Sequence, residues 1–210
     1  MDDHGSNRRR NRRGQGALLR EDILAAATAL IEHDGHAGEL TLRRIAREAE
    51  ITAPSIYAHF NDLADILDTV LNGYFDDLRD TIAAATGSDT EPDRALLAGC
   101  RAYARFAMER PGRYRALFNR MRSPANTDPD RPELPVPPRR ADVFQALVDA
   151  VEATATAGLS VSEDPYEDAL AVWAAMHGAV LLRMSIANFG WPDLPEFVDT
   201  LVTRTARLTR

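Results

Sequence analysis

Hydrogen-bond donors crowd into one short stretch of the chain, LTLRRIAREAEITAPSIYAHF, residues 40–60. Guanidinium, hydroxyl and imidazole groups are common protein donors to phosphate oxygens and to the edges of bases. The donors that an outward face would offer include Arg43, Arg44, Thr52, Ser55, Tyr57 and His59. If one surface presents them together, that surface suits a polyanion.

Two short helices would have to position these donors. Apolar residues recur at helical spacing in the first half: Leu42, Ile45, Ala46 and Ala49. Thr41 is well placed as the N-cap of that helix, and Thr52 can cap a second one. Pro54 is tolerated there, because the first turn of a helix has no intrahelical N–H bond to lose. Two helices joined this tightly predict a helix-turn-helix. The alternative is an ordinary helical hairpin whose polar residues face water.

Charge is distributed unevenly around this module. The net charge is −7, but residues 1–60 contain as many arginines as acidic residues, so residues 61–210 carry the whole excess. Five arginines lie within six residues near the start: Arg8, Arg9, Arg10, Arg12 and Arg13. A basic arm, a neutral module and an acidic body favour local attraction to a polyanion. A solvated, disordered tail is the other interpretation of the arm.

Residues 17–75 resemble the DNA-binding module of the tetracycline-repressor (TetR) type of bacterial transcription regulators. The shared features are Leu-Thr and Ile-Ala in the first short helix, the run Thr-x-Pro-Ser-Ile-Tyr-x-His-Phe, and the Leu/Ile/Ala-rich helix that ends near Gly35. Tyr-x-His-Phe is the most specific element. The resemblance implies an all-α homodimer that binds a palindromic operator in double-stranded DNA. It also implies release when a small-molecule effector enters the larger domain.

The resemblance further implies which residues contact DNA. They are the capping Thr41, then Arg43, Thr52, Ala53, Pro54, Ser55, Tyr57 and His59. Arg43 would reach a base edge, and residues 52–54 would begin the groove-facing helix. Ser55, Tyr57 and His59 would hold phosphates.

Three positions depart from the pattern of the relatives. Glu50 stands in the turn where glycine is usual, and His36 stands where an aromatic residue is common. Leu63 replaces a lysine that often grips a phosphate. We expect the arm, including Arg12 and Arg13, to compensate by entering a neighbouring minor groove.

The rest of the chain has helical periodicity and no alternating strand pattern, which predicts an all-α fold of about nine helices. The expected organisation is a basic arm over residues 1–16, a helix-turn-helix domain over 17–61, and a helical ligand-binding and dimerisation domain over 62–210. Residues 123–138 contain six prolines and predict a loop.

Two short segments of the larger domain also resemble these regulators: RPGRYRALF, residues 110–118, and the Trp-x-x-x-His-Gly signature in WAAMHG, residues 173–178. The pocket candidates are Tyr103, Phe106, Met121, Phe144, Trp173 and His177, and they suggest an apolar effector. His177 is interpreted either as a ligand contact or as a core histidine with a hydrogen-bond partner. Small residues around it would let a second helix approach: Ala171, Ala174, Ala175, Gly178 and Ala179. We expect this helix and the last one, about 194–208, to form a dimerising four-helix bundle.

Residues for catalysis or metal binding are not apparent. Cys100 is interpreted as a small core residue. His33 and His36 suit the end of a helix better than a metal site. We find no phosphate-binding loop and no catalytic motif, so neither an enzyme nor a cofactor is indicated. One cysteine and no long apolar run fit a cytoplasmic protein that does not span a membrane. A helical enzyme or small-molecule carrier remains the alternative function.

Overall fold

Helices make up the regular structure of the residues that the computed structural model describes, 15–34, 40–87, 91–119 and 138–209. They are α1 (Gln15–Asp34), α2 (Leu42–Glu48), α3 (Ala53–Ile56), α4 (Leu63–Thr86), α5 (Pro92–Glu109), α6 (Pro111–Asn119), α7 (Pro138–Thr156), α8 (Pro165–Ser185) and α9 (Leu194–Thr205). Within these ranges the β-structure is a single isolated bridge between Ser160 and Leu208. The prediction of an all-α fold is confirmed.

The first three helices pack around one apolar centre. Ile23, Ala27 and Ile31 form the buried face of α1, and Ile45 and Ile56 bring α2 and α3 against it. Thr41 caps α2 as predicted, because its Oγ1 accepts a hydrogen bond from the backbone N–H of Arg44 at 3.2 Å. These contacts hold the two short helices on the longer one.

The second short helix differs in detail from the prediction. α3 is a single turn of α-helix, and hydrogen-bonded turns continue it to Phe60. Thr52 occupies the N-cap position, but its side chain makes no capping bond and instead lies 2.8 Å from the Ser55 hydroxyl. Pro54 stands in the first turn, where no backbone bond is lost.

α4 connects this module to the larger part of the molecule. Asp62 caps its N-terminus, and its 24 residues span about 36 Å. α4 packs most extensively against α5 and also contacts α1, α6 and α7. Its buried face is apolar and comprises Ile66, Val70, Leu71, Tyr74, Phe75 and Leu78.

α5 lies at the centre of the larger part, where it contacts α4, α6, α7, α8 and α9. α8 packs against both α7 and α9. α9 ends at Thr205, a few residues before the predicted end at about residue 208. Most of the predicted proline-rich loop, residues 123–137, lies outside the described residues. The domain boundary at residues 61 and 62 stays a prediction.

Candidate nucleic-acid interface and aromatic cluster

The turn between α2 and α3 has a defined geometry in spite of its unusual residue. The N–H of Ile51 bonds to the carbonyl of Ala46 at 2.8 Å, and the N–H of Glu50 bonds to the carbonyl of Arg47 at 3.2 Å. This pair of bonds is the Schellman motif, which needs a left-handed residue after the helix end. Glu50 takes that conformation, with φ of 54°. The turn therefore keeps the geometry that glycine would give it, at the cost of backbone strain.

The two neighbouring arginines of α2 have different roles. Arg44 forms an ion pair with Asp34 at the end of α1, with 2.8 Å between guanidinium nitrogen and carboxylate oxygen. Arg43 is exposed on the outer side of the same helix. Arg44 therefore braces α2 against α1, whereas Arg43 is available to reach outwards.

The donors of α3 and of the turns after it lie above a buried base. Ile56 and Phe60 are almost fully buried, and the guanidinium of Arg20 lies 4.9 Å from the centre of the Phe60 ring. Between these anchors Tyr57 is 62% exposed, and His59 is partly exposed. The predicted contact residues that the structure describes lie on or beside α2 and α3, and none of them is fully buried: Thr41, Arg43, Thr52, Ala53, Pro54, Ser55, Tyr57 and His59.

The remaining positions that the sequence singled out for this interface are Arg12, Arg13, His36 and Leu63. Arg12 and Arg13 lie outside the described residues, as does His36. Leu63 is half-buried against the apolar core and offers no donor to a phosphate. Residues at the start of the chain or elsewhere on this surface would have to supply that contact.

A second group of polar atoms lies inside the larger part of the molecule. The hydroxyl of Tyr103 on α5 lies 2.7 Å from that of Tyr114 on α6, and the Tyr114 hydroxyl lies 2.6 Å from Nδ1 of His177 on α8. Burial raises the pKa of both tyrosines well above the usual range and lowers the pKa of His177. All three side chains are therefore uncharged near neutral pH.

Aromatic rings surround this hydrogen-bonded chain. The ring of His177 has its centre 4.6 Å from that of Phe118 and 6.0 Å from that of Trp173. Phe144 continues the group, 5.9 Å from Trp173, and contacts the exposed Tyr166. We call these residues the aromatic cluster: Tyr103, Tyr114, Phe118, Phe144, Tyr166, Trp173 and His177.

The structure thus unites four of the predicted pocket residues: Tyr103, Phe144, Trp173 and His177. Phe106 lies in the core beneath Arg110 and is 1% exposed. Met121 lies outside the described residues. The prediction did not include Tyr114 and Phe118, which both belong to the segment RPGRYRALF. Their spacing of four residues puts them on one face of α6. This spacing is the feature of the sequence that could have identified them.

The residues just before Tyr114 join this cluster to α1 and α4. Gly112 packs so closely on α1 that an added Cβ would lie 2.7 Å from the carbonyl oxygen of Glu32. Arg113 bonds to the Glu32 carboxylate at 2.6 Å, pairs with Asp77 of α4, and lies over the ring of Tyr74. One turn of α6 therefore contacts α1 and α4 and, through Tyr114, α5 and α8.

Other candidate chemistry is accounted for by packing. Cys100 is buried, and burial raises the pKa of its thiol to about 12, so it is a core residue rather than a nucleophile. Within the part of the chain that the structure describes, no group of three potential metal ligands occurs, and no helix is long and apolar enough to cross a membrane.

Known proteins resemble both parts of the chain. The family described as "Bacterial regulatory proteins, tetR family" matches residues 23–70, and "Tetracyclin repressor-like, C-terminal domain" matches residues 96–207. An uncharacterised HTH-type transcriptional regulator of Mycobacterium tuberculosis is 32% identical over 168 residues, which cover 80% of this chain and 71% of the relative.

Solved structures share the fold at low sequence identity. A TetR family transcription regulator from Marinobacter aquaeolei VT8 has a TM-score of 0.70 and 16% identity, with 95% of this chain and 100% of the other covered. RolR, solved in complex with the ligand resorcinol, has a TM-score of 0.61 and 14% identity, with 94% and 92% covered.

Proposed function

The chain belongs to the tetR family of bacterial regulatory proteins and is a DNA-binding transcriptional regulator, and we propose that it acts as a ligand-released repressor. In this proposal a homodimer binds a palindromic operator. A small-molecule effector enters the helical body and lowers the affinity for DNA.

The surface formed by α2 and α3 is the observation that carries this proposal. Polar donors lie outwards over an apolar base, and Arg43 is exposed although the adjacent Arg44 is paired with Asp34. Arg43 would contact a base edge, for which a guanidinium is well suited. Ser55, Tyr57 and His59 would bind phosphates, and residues 52–54 would lie at the groove.

The basic arm would add to this interface. We propose that Arg12 and Arg13 enter a neighbouring minor groove and replace the phosphate contact that Leu63 cannot make. Deleting residues 1–14 should then lower both the affinity for DNA and its dependence on salt. Unchanged affinity and unchanged salt dependence would refute the role of the arm.

An exposed apolar ridge on α8 supports a homodimer. Leu170 and Leu182 are 43% and 52% exposed, and they lie eight residues before and four residues after Gly178 on α8. The intervening Gly178 has open space beside it, since an added Cβ would meet nothing within 4 Å. Ridges of this spacing pack against one another in helix pairs, and so this face fits a second copy of the chain.

Leu182→Glu tests the dimer directly. It should shift the protein towards the monomer in sedimentation experiments, because a charge would be buried in the interface. Val161→Glu is the matched control, since Val161 is equally exposed but precedes α8. A dimer that survives Leu182→Glu unchanged would exclude this face.

Ligand release would depend on the distance between the two reading surfaces. Successive major grooves on one side of the duplex lie about 34 Å apart, so the two copies of α3 must match that spacing. An effector that favours another spacing shifts the population away from DNA. α4 is the proposed lever, and α6 supports it because Gly112 and Arg113 contact α1 and α4.

Selection from a random pool of DNA duplexes, at two salt concentrations, tests the proposed function. We expect enrichment of a palindrome whose half-sites lie about one helical turn apart. No enrichment at either salt concentration by a folded dimer would refute operator binding.

A further inference from the structure

Arg20 is an exposed residue of α1 that lies against the end of the helix-turn-helix. Its guanidinium carbon lies 4.9 Å from the centre of the Phe60 ring, and Phe60 is only 3% exposed. The backbone N–H of Phe60 bonds to the carbonyl of Ile56 at 3.0 Å, so the turns after α3 hold this residue. The attraction between cation and ring therefore keeps the guanidinium at a defined position.

The positive charge of Arg20 is not paired with an acidic side chain of the described residues. A phenyl ring attracts a cation but offers no oxygen or nitrogen to accept its N–H groups. The carboxylates that follow Phe60 are engaged elsewhere, since Asp62 and Asp65 accept backbone N–H groups at 2.9 Å and 3.1 Å. Among the described residues nothing occupies the N–H donors of Arg20, and they are available to a bound anion.

The guanidinium lies at a part of the proposed interface that lacks a cation. Phe60 directly follows His59, which is partly exposed, and it lies three residues before Leu63, which offers no donor. Because successive Cα atoms are about 3.8 Å apart, a group on the Phe60 ring lies close to both positions. Residues 57–65 contain no lysine or arginine. Arg20 thus brings a positive charge to the junction of α3 and α4.

We propose that Arg20 binds a phosphate of the operator beside the junction of α3 and α4. A guanidinium presents its N–H groups in one plane, which suits phosphate oxygens. Its contact with Phe60 positions the side chain before DNA binds, so less side-chain entropy is lost on binding. The inference rests on the proposed function, because it takes the α2–α3 surface as the face that contacts DNA. It is separate from the role of the basic arm, because deletion of residues 1–14 leaves Arg20 in place.

The dependence of DNA affinity on salt is the first measurement. Each neutralised phosphate contributes about 0.9 to the slope of log affinity against log salt concentration, so loss of Arg20 from both half-sites should reduce the slope by about 1.8. Arg20→Gln should show this reduction, and its affinity for the selected operator should fall by about tenfold or more at low salt. Arg20→Lys keeps the charge and should retain the slope. Fluorescence anisotropy over a series of salt concentrations measures both quantities.

Arg94→Gln is the matched control for Arg20→Gln. Arg94 is exposed in the first turn of α5, and the following turns of α5 place Gly99 against Thr86 at the far end of α4. This variant removes the same charge far from the α2–α3 surface, so the affinity and the slope should not change. Equal effects of Arg20→Gln and Arg94→Gln would overturn the proposal, since net charge alone would then explain both.

A purely structural role of Arg20 predicts a different result. If Arg20 only covered Phe60, its loss would destabilise the module and lower DNA affinity by the same factor at every salt concentration. An unchanged slope for Arg20→Gln would therefore overturn the proposal, even if the affinity falls. Urea unfolding of the same variants measures any loss of stability separately.

Neutral methylphosphonate groups in the operator identify the phosphate that Arg20 contacts. When the phosphates are replaced one at a time, one position in each half-site should weaken binding of the unaltered protein but not of Arg20→Gln. Arg94→Gln should respond at that position as the unaltered protein does. If every replacement weakens Arg20→Gln and the unaltered protein by the same factor, no phosphate depends on Arg20 and the proposal is refuted.

The result is separable from that of operator selection, which uses the unaltered protein. An enriched palindrome together with an unchanged slope for Arg20→Gln would refute only the role of Arg20. If no palindrome is enriched, the slopes can be measured on a duplex of random sequence, because the phosphate contribution does not depend on sequence. A reduced slope for Arg20→Gln on that duplex would support the phosphate contact while the proposed operator is refuted.

Discussion

The α2–α3 surface and the aromatic cluster place their polar atoms in opposite ways. On the α2–α3 surface the donors lie outside an apolar base, and all of them come from residues 41–59. In the aromatic cluster the side chains of Tyr103 and Tyr114 are buried among other rings. There the bonded partners of Tyr114 are 11 and 63 residues away in the sequence.

This difference separates binding from stability. Truncation of a side chain that faces water hardly changes the free energy of unfolding of the protein. Truncation of a donor on the α2–α3 surface should therefore change DNA affinity alone. A buried hydroxyl that links two others leaves them without a partner when it is removed, and the fold becomes less stable. Substitutions in the two regions should therefore change different measured quantities.

The largest expected effect is on DNA affinity. Arg43→Ala removes the proposed base contact in both half-sites, at about 1–3 kcal/mol each, so operator binding should weaken by about 2–6 kcal/mol. The temperature of unfolding should hardly change, because Arg43 is exposed. Fluorescence anisotropy with the selected operator and thermal denaturation measure the two quantities.

Arg47→Ala is the matched control for Arg43→Ala, since Arg47 is also exposed on α2. It should reduce operator affinity much less. Equal losses for the two variants would mean that the general positive charge of α2, and not a specific contact of Arg43, determines binding.

The buried hydroxyl of Tyr114 should give the next largest effect, on stability. Tyr114→Phe keeps the ring but leaves Tyr103 and His177 without their shared partner, so the free energy of unfolding should fall by about 1–3 kcal/mol. Tyr166→Phe is the control and should cost much less, because Tyr166 is 57% exposed. Urea unfolding at a fixed protein concentration measures both. Equal stability of the two variants would show that the hydrogen bonds of Tyr114 to Tyr103 and His177 do not stabilise the fold.

The sequence predicts the local α2–α3 surface better than the aromatic cluster, whose contacts join distant parts of the sequence. The helix-turn-helix is predictable because Thr41, Ile45 and Ile56 act through spacing and capping within about 20 residues. The fold class follows from helical periodicity in the same way. Tyr114 could not be assigned a role, because its hydrogen bonds to α5 and α8 depend on how distant helices pack. The ion pair between Arg44 and Asp34, which distinguishes Arg44 from Arg43, also depends on how α2 packs against α1.

The contact between α6 and α1 gives a third test, which joins the two regions. Gly112→Ala would place a Cβ 2.7 Å from one backbone atom of Glu32 and 2.9 Å from another, so α6 or α1 must move. Stability should fall by about 1–3 kcal/mol, as for overpacking elsewhere. Operator affinity should change with it, because α1 supports α2 and α3.

Gly73→Ala on α4 is the control for Gly112→Ala. An added Cβ at Gly73 meets nothing within 4 Å, and alanine is the better helix former by about 0.5–1 kcal/mol. This variant should therefore be more stable than the unaltered protein. Two outcomes would contradict this prediction. In the first, Gly73→Ala lowers stability. In the second, Gly112→Ala changes neither stability nor operator affinity, so that the close contact between Gly112 and Glu32 does not have the expected effect.

The smallest expected effect concerns Glu50, whose left-handed φ of 54° is strained for a residue with a Cβ. Glu50→Gly removes that strain and keeps the two Schellman bonds. Part of the gain is lost because glycine also gives the unfolded chain more freedom. Stability should rise by about 0.5–1 kcal/mol in urea unfolding.

Ala49→Gly is the matched comparison for Glu50→Gly, because Ala49 precedes Glu50 and has an ordinary φ of −81°. It should lower stability, since glycine relieves no strain there and only gains freedom on unfolding. If both variants lower stability, the left-handed conformation at Glu50 is not costly in this chain. If Glu50→Gly instead raises stability while operator affinity stays constant, the strain at Glu50 is confined to the turn and does not affect DNA binding. The α2–α3 surface then holds its geometry through the apolar base and not through the residue at its turn.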